Sequence, residues 1–172
     1  MKKTAKAPPR EGIFNLLTGE SDRGCALVAG EAFNDLLSSL LGGLFIESKT
    51  SRDLLNGGGS APLGTFSARI HACFALGLIC EDEQADLHAI RRIRNSAAHF
   101  GEGNVFSFDL EKTIEACRTL RAKSPASMKM VEAQMGVRGH FIGSVVGLYV
   151  VLQSRQESIR RVRSPRNGRT SE

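Results

Sequence analysis

The stretch from Arg23 to Ile46 constrains the fold most. Leu27, Phe33, Leu36, Leu37, Leu40, Leu41 and Leu44 recur at the three-and-four spacing of an α-helix, which puts them on one side of a rod about 3.6 residues per turn. A helix that long and that one-sided must be covered by other elements, so it predicts a principal core helix. Glu31 and Asp35 lie one turn apart on it near Ser38, where they either meet buried-side arginines or form an exposed acidic stripe. Both readings stay open.

The rest of the chain offers helices to cover it. Ile13 to Leu17 suits a short helical turn. Phe66 to Ile79, with Thr65 as its cap, is apolar almost all round and is expected to be central, although Arg69 lies inside that apolar surface. Asp86 to Phe100 and Asp109 to Leu120 follow, and a linker with Ser124 and Pro125 leads to a last long helix from about His140 to Arg160. Asn56 to Pro62, with three consecutive glycines and a proline, breaks the chain. It lacks the lysine followed by serine or threonine of a phosphate-binding P-loop. Gly101 to Asn104 stops the Asp86 helix. No segment alternates as a strand does. The fold class expected is therefore all-α, a helical bundle of about five helices.

A chain of 172 residues is the size of one domain. Its body is expected over residues 13–161, with flexible basic tails at 1–12 and 162–172. The formal charge of +5 sits largely in those tails, which suit either phosphate backbones or a solubilising role. The four cysteines, Cys25, Cys73, Cys80 and Cys117, have no zinc spacing and read as reduced core residues. No metal or cofactor is expected. The amino terminus lacks a signal-peptide form, and the apolar run Phe141 to Leu152 is short of the roughly 20 residues of a membrane span. A soluble, cytoplasmic protein without membrane association is expected.

On the Asp86 helix, Leu87, Ile90, Ile93, Ala97 and Phe100 share the core arc. His88, Arg91, Arg92, Asn95 and His99 share the opposite one. Arg94 falls at the rim of the apolar arc, where it requires a carboxylate, a phosphate or backbone carbonyls. Arg69 and Arg94 are expected to find at least one carboxylate between them on the first long helix. Arg69, Arg91, Glu31 and Asp35 are thus candidates for structural or phosphate-contacting roles.

The segment Ala61-Pro62-Leu63-Gly64-Thr65-Phe66-Ser67-Ala68-Arg69-Ile70, followed by Ala75-Leu76-Gly77-Leu78-Ile79, resembles the signature of the mannitol operon repressor family. The likeness extends more loosely from about Arg23 to Leu120. It implies an all-α transcriptional regulator without a helix-turn-helix, acting through nucleic-acid or protein partners. The hexapeptide Arg94-Asn95-Ser96-Ala97-Ala98-His99 is similar to the catalytic motif of HEPN ribonucleases. That likeness implies metal-independent RNA cleavage by Arg94, Asn95 and His99 across a homodimer. The chemistry is coherent, because a histidine can move the proton of a ribose 2′-hydroxyl while an arginine stabilises the phosphorane. Three classes remain: a regulator binding DNA or protein, an RNA-cleaving nuclease, and a non-catalytic protein–protein adaptor.

Overall fold

A computed structural model describes residues 10–56, 61–99, 105–121 and 129–160. Among these the chain is helical with no strand, in the order α1 (Arg10–Gly19), α2 (Asp22–Leu44), α3 (Lys49–Asn56), α4 (Phe66–Ala75), α5 (Glu81–Ala98), α6 (Glu111–Arg118) and α7 (Lys129–Ser158). The all-α expectation holds, with α3 added to the expected set and α1 longer than a single turn. Arg10 to Gly12 of the expected amino-terminal tail belong to α1, while residues 1–9 and 161–172, Phe100 to Asn104 and the Ser124–Pro125 linker lie outside the described residues.

The bundle is built round α2, which packs against α1, α3, α4, α5 and α7. Its stripe of Phe33, Leu36, Leu37, Leu40 and Leu41 is buried, and Cys25, Ala26 and Ala29 extend it toward the amino end. Ser21 starts the helix by accepting the Gly24 amide at 3.1 Å, which satisfies one of the amides a helix start leaves open. Aromatic pairs fill the space between α2, α7 and the approach to α6: Phe33 meets Tyr149 edge-on at 5.9 Å, and Phe108 meets Phe141 at 5.0 Å.

α4 is shorter than its apolar pattern suggests. Thr65 caps it through the Ala68 amide at 3.1 Å, as expected. Its other end is cut at Ala75 because Gly77 takes φ 67°, letting the Leu78 amide reach back to the Cys73 carbonyl at 2.8 Å and that of Gly77 to Phe74 at 2.9 Å. This is the left-handed helix stop that glycine permits. Leu76, Leu78 and Ile79 therefore leave the helical register. Phe74 and Leu76 are exposed, so α4 is not apolar-buried all round.

α7 begins well before the expected His140. It comprises two helical pieces joined at Gly136, whose φ of 57° and ψ of −131° are non-helical. By length and composition alone Ala133–Ser158 would cross a membrane, yet 56% of its apolar window is buried. Phe141, Ile142, Val145, Leu148, Tyr149 and Leu152 face the core, and α7 packs against α1, α2 and α6. It is the core helix on that side. Two ion pairs fix it. Arg138 binds the Asp22 carboxylate at 2.9 Å and the Glu20 carbonyl, joining α7 to the α1–α2 corner. Arg155 grips both Glu83 oxygens, at 2.6 and 2.9 Å, and donates to the Leu78 carbonyl at 2.7 Å.

Candidate functional site on the outer face of α5

α5 starts at Glu81 rather than Asp86. Glu81, Asp82 and Glu83 occupy its first turn, where the partial positive charge of the helix start favours carboxylates. Glu83 also accepts the Cys80 amide at 2.8 Å. Burial works to raise the Glu83 pKa, but the hydrogen bonds from Arg155 and from the Cys80 amide outweigh it and hold the carboxyl below its usual value. Leu87, Ile90, Ile93 and Ala97 are buried as their spacing requires, together with Ala89 and Asp86. Asp86 escapes the cost of burial by accepting the Arg121 amide at 2.7 Å.

The carboxyl end carries the Arg-Asn-His triplet. Arg94 is half-buried, and its aliphatic stem lies against Gly30 of α2, where an added Cβ would stand 2.5 Å from Cγ. Its guanidinium donates through Nη1 to Asn95 Oδ1 at 3.2 Å. His99 follows the last turn, exposed, with its amide on the Asn95 carbonyl at 3.1 Å. The Ala97 carbonyl is taken by Arg23 Nε at 2.9 Å, a contact no motif in the sequence signals. The triplet thus offers one outward imidazole, while its arginine is turned back along the α2–α5 seam.

Arg69 and Arg94 do not take the expected carboxylate. Arg69 is only 6% exposed and is satisfied by carbonyls instead. It donates to Leu63 at 2.9 Å, to Leu55 at 3.0 Å and to Asn34 through both the backbone oxygen at 3.0 Å and Oδ1 at 2.8 Å. A guanidinium has donors pointing in several directions, so it can serve three chain segments where one carboxylate would use two donors. Glu31 and Asp35 are exposed. Among the described residues Glu31 accepts only a long 3.4 Å contact from Asn34. Asp35 has its pKa raised, first by burial and then by Glu31, with Arg69 opposing.

Between α4 and α5 the outer face is basic. The rings of His71 and His88 lie 5.0 Å apart at 51°. Burial pushes the His88 pKa down, and His71, Arg91 and Arg92 push it further. Arg91 is half-buried, with Nε enclosed and without a hydrogen-bond partner among the described residues. Phe74 stands one turn beyond His71, 42% exposed. On the other side, α5 and α6 enclose a cleft of about 300 Å³. Among the described residues no three His, Cys, Asp or Glu side chains gather as metal ligands. Cys25, Cys73 and Cys117 are buried, with pKa values raised to about 12 by that burial. Cys80 departs from the core reading: it is exposed at the start of α5.

No family model matches the chain, and no curated protein matches it. Among solved structures it is similar to the X-ray structure of the MtlR–HPr complex from Escherichia coli, with a TM-score of 0.67 over 83% of this chain and 97% of the matched chain. At 20% identity the correspondence is one of fold. The class is therefore an all-α bundle of the MtlR type, the fold that the mannitol operon repressor resemblance implied.

Proposed function

We propose that the chain is a regulatory protein of the mannitol operon repressor kind that acts on transcription by docking a protein partner. The support is the correspondence in fold across nearly all of a chain whose structure is that of a complex with HPr. The outer α4–α5 face suits the role. It pairs His71 with His88, with Arg91 one turn from His88 on α5 and the exposed Phe74 one turn from His71 on α4, and a mixed apolar and cationic face fits an acidic-rimmed protein surface better than a bare phosphate chain. HPr is the first partner to try. Isothermal titration of the full chain with HPr is expected to give saturable binding that Phe74→Ser and Arg91→Glu each weaken. Absence of binding to HPr, together with sequence-specific binding of duplex DNA by the folded body, would replace the protein partner with nucleic acid.

The nuclease reading has one observation behind it. Asn95 contacts Arg94 through its side chain and His99 through its backbone, so the three residues form one local unit. Catalysis would require a homodimer in which two α5 helices meet, because one Arg94 lies against Gly30 and does not converge on its own His99. RNA mobility after incubation with metal-free protein tests it. Cleavage that disappears in His99→Ala would establish the nuclease, and intact RNA would remove it.

A further inference from the structure

We propose that the cleft between α5 and α6 binds a small phosphate monoester with a hydroxyl-bearing body. Arg92 of α5 and Lys112 of α6 line it. Both are exposed, and among the described residues neither makes a hydrogen bond or an ion pair, although most other arginines of the folded body are engaged. Two uncommitted cations on facing helices match the double charge of a phosphate monoester, which either one alone would neutralise only in part.

The remaining lining says what the phosphate is attached to. Ser96 contributes a hydroxyl from the α5 side, and Thr113 and Thr119 contribute theirs from the α6 side. Thr119 Oγ1 already donates to the Ala116 carbonyl at 2.7 Å, so toward the cleft it can only accept. Glu115 on the same wall is also an acceptor. Acceptors beside a cationic end select a ligand whose far end donates hydrogen bonds, and hydroxyls do so. Ile93 and Ala116 supply a small apolar floor. Among the described residues no aromatic ring lines the cleft, which leaves a nucleobase nothing there to stack on. A volume of about 300 Å³ lies at the lower end of the range for small-molecule sites, roughly 300–1,000 Å³, and is larger than inorganic phosphate alone would fill.

The site is independent of the partner-docking proposal, since it lies on the opposite flank of α5 from His71. Titration of the full chain with glucose 6-phosphate, glucose and inorganic phosphate, followed by amide chemical shifts, tests it. Glucose 6-phosphate is expected to bind saturably and to move the amides of Ser96, Thr113 and Thr119, with glucose silent and inorganic phosphate weaker. Arg92→Ala and Lys112→Ala are each expected to weaken binding at least tenfold. Arg118→Ala, an exposed cation outside the cleft, is expected to leave it unchanged. Circular dichroism of each variant checks that the bundle is intact. The proposal is overturned if glucose 6-phosphate does not saturate, if inorganic phosphate binds as tightly, or if Arg118→Ala weakens binding as much as Lys112→Ala does.

Discussion

At the scale of single residues, Gly30 of α2 leaves no room for a side chain beside Arg94 of α5. A methyl at Gly30 would lie 2.5 Å from Arg94 Cγ and 2.9 Å from its Cβ, near the root of the side chain, where rotation gives little relief. Gly30→Ala is therefore expected to lower stability by about 1–2 kcal/mol, overpacking at the seam exceeding the roughly 1 kcal/mol gain in helix propensity. In an Arg94→Ala background the penalty should shrink but persist, because the 2.9 Å contact is with an atom alanine keeps. Urea unfolding of the four proteins in a double-mutant cycle measures the coupling, and an equal loss in both backgrounds would mean that α2 and α5 do not meet there. The thiols divide as sharply. Iodoacetamide at neutral pH should modify native protein at Cys80, while Cys25, Cys73 and Cys117, with pKa values near 12, react only after unfolding. Mass spectrometry of peptides from the two states checks it.

At the scale of elements, the Glu83–Arg155 pair carries a pH dependence of definite sign. The folded-state pKa of Glu83 is lowered, so its contribution is complete above the unfolded carboxyl value of about 4.3 and is lost as pH falls through the folded value. Glu83→Gln should cost about 1–3 kcal/mol at neutral pH, the scale for hydrogen bonds to charged groups, and its deficit should narrow on acidification. Thermal melts of both proteins from pH 7 to pH 3 would show it. The same elements show what sequence can reveal. α2 and the buried arc of α5 were legible because they are long and carry their apolar residues at one period. α3 was not, since Lys49–Asn56 holds only Leu54 and Leu55 as apolar residues, and tertiary contact rather than local pattern secures it. The end of α4 was overrun because a wheel registers hydrophobicity and not the sign of φ at Gly77. At the site, the outward placement of His88, Arg92 and His99 follows from periodicity. The cleft, the pairing of His71 with His88 and the grip of Arg23 join residues far apart in sequence, which no spacing rule connects.

At the scale of the whole molecule, Arg69 holds together parts of the chain that a cut would otherwise separate. It grips Leu55 at the end of α3, Leu63 ahead of α4 and Asn34 in the middle of α2, so both flanks of the Gly57–Ser60 stretch are tied to the principal helix. The connection between those flanks then has little geometric work left. Doubling its length with glycine and serine between Gly58 and Gly59 is expected to cost only about 0.6 kcal/mol, the entropy of closing a longer loop. In Arg69→Met, whose own loss should be about 2–4 kcal/mol from carbonyls left unmet, the same insertion should cost more, and paired urea midpoints read the difference. The bundle could accordingly take new termini at this point. A circular permutant opened between Gly58 and Gly59 would keep both ends anchored by one guanidinium, which makes this the natural place to graft a reporter or a second domain.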